Sequence, residues 1–113
     1  MTTSEMREPT FLIMAALAEG KRHGYRLIQS VRQHSGGRVT LQVGTLYSVL
    51  ERLQTTGLVA AAGEEVVDGR LRRYYELTDE GARELSEQIS RMERNIRQAK
   101  TQLALRASIG GLA

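Results

Sequence analysis

The chain has 113 residues, with 16 Lys and Arg against 13 Asp and Glu, a net charge of +3 and no cysteine. That length suffices for one compact domain with one protruding element and leaves little room for a buried active site. The lack of cysteine excludes disulfides and thiolate metal sites and is compatible with a cytoplasmic setting. Although the pI is near 9.7, so small a net charge does not establish a nucleic-acid partner, and the placement of the cations has to decide it.

The longest apolar run, Phe11 to Ala18, is far shorter than the ~20 residues a membrane-spanning helix needs. Glu5, Arg7 and Glu8 precede it in place of the positive start of a signal peptide, so a core helix and no membrane partner are expected. Pro9 suits the first turn of this helix and Gly20 its end, which places helix 1 at about Glu8 to Glu19. Leu27, Ile28 and Val31 share one face of an amphipathic segment from Tyr25 to His34, stopped by Gly36-Gly37. Val39 and Leu41 then allow a short extended piece. Leu46, Val49, Leu50 and Leu53 form a single helical stripe within Gln42 to Thr56, ended by Gly57.

Leu58 to Ala62 reads as a strand, Gly63 to Gly69 as a polar loop, and Leu71 to Leu77 as a second strand, together a β-hairpin. Thr78 is a suitable N-cap, followed by Asp79 and Glu80 at the positive end of a helix dipole. Beyond it Leu85, Ile89, Met92, Ile96, Ala99 and Leu103 recur with heptad spacing, and Gly110-Gly111 reads as a frayed tail. The predicted fold class is α+β, mainly α: a winged helix-turn-helix over residues 1–77, with a long C-terminal dimerisation helix and tail over 78–113.

Helix 3 stands where a recognition helix would stand. With its apolar stripe inward, Gly44, Ser48, Glu51 and Thr55 point outward, Thr45 and Arg52 flank one side, and Tyr47 flanks the other. Thr45 and Ser48 can meet base edges, while Tyr47 can donate to a phosphate. Arg70, Arg72 and Arg73 are the densest cationic group, suited to phosphates or a narrow minor groove. The alternative there is a solvated hairpin with Arg73 paired to Glu64 or Glu65. His23 and Tyr25, with Lys21 and Arg22, mark a helix start able to clamp a phosphate; the alternative is a plain interhelical loop.

The two histidines, His23 and His34, have no partner at metal spacing, so no metal site is expected. No nucleophile triad, phosphate-cradling loop or carboxylate pair stands out, so neither enzymatic activity nor a cofactor is expected. The heptad seam is expected to meet a second copy of itself, since the other faces can satisfy one another. The expected partners are double-stranded DNA, a second copy of the chain and a small-molecule effector. Competing readings are a protein-interaction adaptor and a ligand sensor with little DNA specificity.

In combination and order, several motifs resemble the PadR family of transcription regulators. They are His23-Gly24-Tyr25, Gly44-Thr45-Leu46-Tyr47, Leu53 through Gly57-Leu58-Val59, Asp68-Gly69-Arg70 with Arg72-Arg73-Tyr74-Tyr75, and Leu77-Thr78. The resemblance covers about Glu8 to Leu85. It implies a homodimeric winged-helix repressor, paired through its last helices, that contacts DNA through Tyr47 and the basic wing of Arg70, Arg72 and Arg73. The chain departs from the family pattern at Ser48 and Leu71, where proline is usual, and at Gln42-Val43, where Ser-Pro is usual. Members that respond to drugs carry a tryptophan on the last helix. This chain has none, and Met92, at about that position, is the candidate effector-lining residue.

Overall fold

The computed structural model describes residues 6–112. Helix α1, Glu8–Ala18, carries Pro9 in its first turn and is followed by Gly20 at φ 142°. Ile13, Met14, Ala16 and Leu17 are buried along it, which makes it the centre of the core. A two-residue strand β1, Arg22–His23, follows where the sequence reads as a loop. Two residues carry no detectable period, and β1 exists only because a distant strand arrives to pair with it.

Helix α2, Gly24–His34, begins one residue before its expected start. His23 is its N-cap, with Nδ1 accepting from the Arg26 N–H at 3.3 Å. Leu27 and Val31 bury the predicted face, and Gly36 and Gly37, both at positive φ, end the run. Val39 and Leu41 reach the core from a loop instead of an extended piece, held by the Val39 N–H donating to Ser35 Oγ at 2.9 Å.

Helix α3, Val43–Thr55, buries Leu46, Val49, Leu50 and Leu53, the expected stripe. Strands β2, Val59–Val67, and β3, Arg70–Leu77, then form a longer hairpin than predicted. The segment that reads as a polar loop is mostly strand. Glu64 stands opposite Arg73 and Glu65 opposite Arg72, and cross-strand charge pairing offsets the poor strand propensity of glutamate. A β-bulge lies between Ala61 and Glu64, with Gly63 at φ 105°, and the two-residue turn Asp68–Gly69 has both φ values positive. The sheet is antiparallel in the order β1-β3-β2.

Helix α4, Asp79–Leu112, is capped by Thr78, whose Oγ1 accepts from the Gly81 N–H at 2.9 Å. The same hydroxyl donates to the Gly57 carbonyl at 2.7 Å, which ties α4 to the end of α3. Helical structure continues through Gly110 to Leu112, where the paired glycines predict a frayed tail. Leu85 is only 6% exposed and belongs to the core cluster, so it leaves the dimer seam to which its spacing assigns it. Helix α4 contacts α1 and β3, and Leu85 is its contribution to the core cluster. Past Gln88 the helix projects from the body, giving overall dimensions of 67 × 33 × 21 Å. Among the described residues no helix is long and apolar enough to cross a membrane. Three helices, a small sheet with a hairpin wing and an appended helix make a winged helix-turn-helix of mainly α composition.

Candidate nucleic-acid interface

The beginning of α2, one turn of α3 and the outer part of β3 meet around a single concavity of about 460 Å³. His23, Gly24, Tyr25, Tyr47, Arg70, Leu71, Arg72 and Arg73 line it. Six of the nine expected DNA-binding residues are thereby brought together. Thr45 and Ser48 are exposed on α3 but do not line the concavity. Arg52 is drawn elsewhere, its guanidinium donating to Thr10 Oγ1 of α1 at 3.1 Å.

Gly24 is what allows Tyr47 to sit where it does. A Cβ at Gly24 would stand 2.5 Å from the Tyr47 hydroxyl oxygen and 3.1 Å from Cζ. The phenol therefore lies across the first turn of α2, leaving Tyr47 41% exposed at the mouth of the concavity. Its ring lies 6.4 Å from the buried Tyr75. Burial pushes the Tyr75 phenol above its ordinary pKa, the nearby Tyr47 adds to the shift, and Arg73 opposes it.

Tyr74 does not line the concavity but supports His23, which does. The His23 ring meets Tyr74 edge-on with centroids 5.5 Å apart, and the Lys21 ammonium lies 5.5 Å from the Tyr74 centroid. The Tyr74 hydroxyl donates to Glu65 at 3.0 Å. Neither Gly24 nor Tyr74 is marked as a site residue by its local sequence. The available signal for Tyr74 is its alternation onto the face of Arg72. Desolvation holds His23 below the ordinary histidine pKa, Arg72 and Arg26 lower it further, and Glu65 opposes them.

The three wing arginines differ in their surroundings. Arg73 lies 3.4 Å from Glu64, the alternative pairing the sequence allows. Among the described residues Arg70 and Arg72 have no ion-pair partner within 4 Å. The wing thus presents two uncommitted guanidinium groups beside a tyrosine hydroxyl and a helix N-terminus, a combination that favours anions.

Fold and site together define a winged-helix regulator in which a basic hairpin stands beside the first turns of α3. The model of the transcriptional regulator PadR-like family matches residues 13–87, and the chain belongs to that family. Members of the family are transcriptional regulators, not enzymes. The transcriptional regulator Rv3488 of Mycobacterium tuberculosis is 41% identical over 75 residues, 66% of each chain. A PadR family transcriptional regulator from Eggerthella lenta superposes with a TM-score of 0.69 at 28% identity, covering 85% of this chain and 84% of that one. Bacillus subtilis PadR, solved in complex with operator DNA, superposes with a TM-score of 0.65 at 22% identity. That match covers 74% of this chain and 48% of PadR and speaks for the fold alone.

Proposed function

We propose that the protein binds duplex DNA as a homodimer and represses transcription from an inverted-repeat operator in the cytoplasm. The observation that carries this reading is the convergence of His23, Tyr25, Tyr47, Arg70, Arg72 and Arg73 on one concave surface. On this reading Tyr47 donates to a phosphate and sets the position of α3, while Thr45 and Ser48 lie nearest the base edges. Arg70 and Arg72 meet the backbone or minor groove from the wing. Arg73 and Arg52 join them by exchanging Glu64 and Thr10 for phosphate. Membership of a family of transcriptional regulators supports duplex DNA as the ligand class.

Residues 1–77 supply the DNA contacts and residues 78–113 the assembly element. Ile89, Met92, Ile96, Ala99 and Leu103 form an exposed stripe along α4, and a second copy is its natural cover. Two-fold pairing would set half-sites about 34 Å apart, one helical turn. A small-molecule effector held between the paired helices, with Met92 in its lining, would release the operator by changing that spacing.

Selection of duplexes from a random pool by the purified protein tests this reading. The expected result is an inverted repeat whose affinity falls steeply with salt. Recovery of no enriched sequence, with no salt-dependent binding to any duplex, would overturn it.

A further inference from the structure

We propose that Leu71 and Val66 form an apolar wedge at the wing tip that enters the minor groove and partly unstacks one base step. The inference rests on the DNA-binding reading above and concerns how a site is chosen once duplex is bound. Val66 and Leu71 are directly opposite each other in the β2–β3 register, so their side chains share one face of the hairpin. Val66 is 70% exposed and Leu71 54%, although both are apolar. Only the pair Val67–Arg70 separates them from the Asp68–Gly69 turn, so the apolar pair lies at the narrow end of the wing.

The surrounding charge says what covers this pair. Arg70 and Arg72 are the chain neighbours of Leu71, and among the described residues neither has an ion-pair partner. Further down the wing the acids are engaged, Glu64 near Arg73 and Glu65 by Tyr74. Strand alternation turns Arg70 and Arg72 to the opposite face of the hairpin from Val66 and Leu71, so the wing tip is apolar on one face and cationic on the other, which fits a groove that is anionic at its rims and apolar between its stacked bases. Leu71 also lines the concavity of Tyr47, His23 and Tyr25, so the wedge is continuous with the surface proposed to meet the duplex.

Apolar side chains driven between base steps unstack and kink DNA, most easily at flexible pyrimidine–purine steps such as TA and CA. Leu71 and Val66 have no hydrogen-bonding groups with which to read a base. Their contribution to site choice is therefore through deformability, at a position flanking the one read by α3.

The test uses the full chain and duplexes selected by the wild type, carrying 2-aminopurine at successive positions under the wing. Wild type is expected to raise fluorescence at one step per half-site. Replacing that step by a stiff A-tract step should cost about tenfold in affinity. The double variant V66T/L71S should lose the fluorescence rise and discriminate less than about twofold, while keeping the salt slope that Arg70 and Arg72 supply. Leu71→Phe, a larger wedge, should retain or increase the rise. An unchanged rise in V66T/L71S overturns the wedge. So does a wild type that binds its selected site without unstacking any step, which would leave the pair for a protein partner. Failure of the wild type to bind any duplex would instead remove the DNA-binding reading, and the wedge with it.

Discussion

Three glycines occupy different environments and have different expected effects when replaced. A Cβ at Gly81 would collide with the Leu58 carbonyl oxygen and approach Leu77 Cδ1 at 2.8 Å. The backbone cannot step aside there, because the Thr78 N–H donates to that same carbonyl at 3.1 Å. Gly81→Ala should therefore destabilise the protein by roughly 3 kcal/mol, the upper end of overpacking costs, despite the helix propensity of alanine. A Cβ at Gly44, in the first turn of α3, would meet nothing within 4 Å. Gly44→Ala should stabilise by about 0.5–1 kcal/mol yet weaken DNA binding, because the added methyl holds the start of α3 away from the duplex. Urea unfolding of both variants, with a binding titration for the second, checks both signs. Gly24 is the third: its missing Cβ leaves room for Tyr47, a dependence between α2 and α3 that no local pattern encodes.

His23 adds a pH dependence with a definite sign. Its Nδ1 must be unprotonated to accept from the Arg26 N–H, and its folded pKa is depressed below the ordinary 6.5. A depressed pKa means the unfolded state binds the proton more readily. The contribution to stability is thus present above pH 6.5 and lost as pH falls through the folded value. His23→Asn keeps an N-cap acceptor that does not titrate in this range. Thermal unfolding of the DNA-free protein between about pH 7.5 and 5.5, the range that brackets histidine titration, should show a smaller loss of Tm in the variant. Equal losses would mean that His23 is not the titrating group.

Among the secondary-structure elements, the wing shows how charge decides local structure and function together. The acids of β2 read as a loop because glutamate is a poor strand former, but opposite Arg72 and Arg73 they complete a ladder. That pairing also sorts the cations: Arg73 lies beside Glu64, whereas among the described residues Arg70 and Arg72 have no ion-pair partner. Replacing Arg70 and Arg72 together by alanine should weaken specific and non-specific DNA alike. The slope of log affinity against log salt should fall by about 0.9 for each phosphate no longer neutralised. A slope equal to that of wild type would show that neither guanidinium touches phosphate. Single replacement of Arg73 should have the smaller effect on the slope, because its charge is already partly neutralised by Glu64.

Across the molecule as a whole, α4 divides into a part that belongs to the domain and a part that leaves it. Leu85 and Gln88 are buried against the body, whereas Ile96 is 50% and Leu103 63% exposed on the projecting part. Ile96→Asp would place an unpaired charge in the proposed helix pairing and should weaken association by roughly 3 kcal/mol or more. Because Ile96 lies outside the core cluster, the monomer should stay folded. Sedimentation at micromolar concentration should show a monomer, and operator affinity should fall with it, since binding is coupled to assembly. A variant that remains dimeric, or a monomer with full operator affinity, would show that α4 is not the assembly element.

The order of elements, the inward stripes of α2 and α3, the Thr78 cap and the family motifs are all legible in the chain before it folds. These are short-range properties, set by periodicity, capping chemistry and turn residues within a few positions of one another. Features that join residues distant in the chain arise only on folding. Strand β1 exists because β3 pairs with it, Leu85 is core because α4 folds back on the body at its start, and Arg52 turns to Thr10 across the domain. The concavity likewise forms because Gly24, Tyr47 and the wing arginines meet in space. A heptad pattern records which face of a helix is apolar but not what covers it, so one stripe serves both the core at Leu85 and the open surface from Ile89 onward. Assignment of each apolar or charged side chain to core, partner or ligand is a question of which surfaces meet, and the folded chain alone answers it.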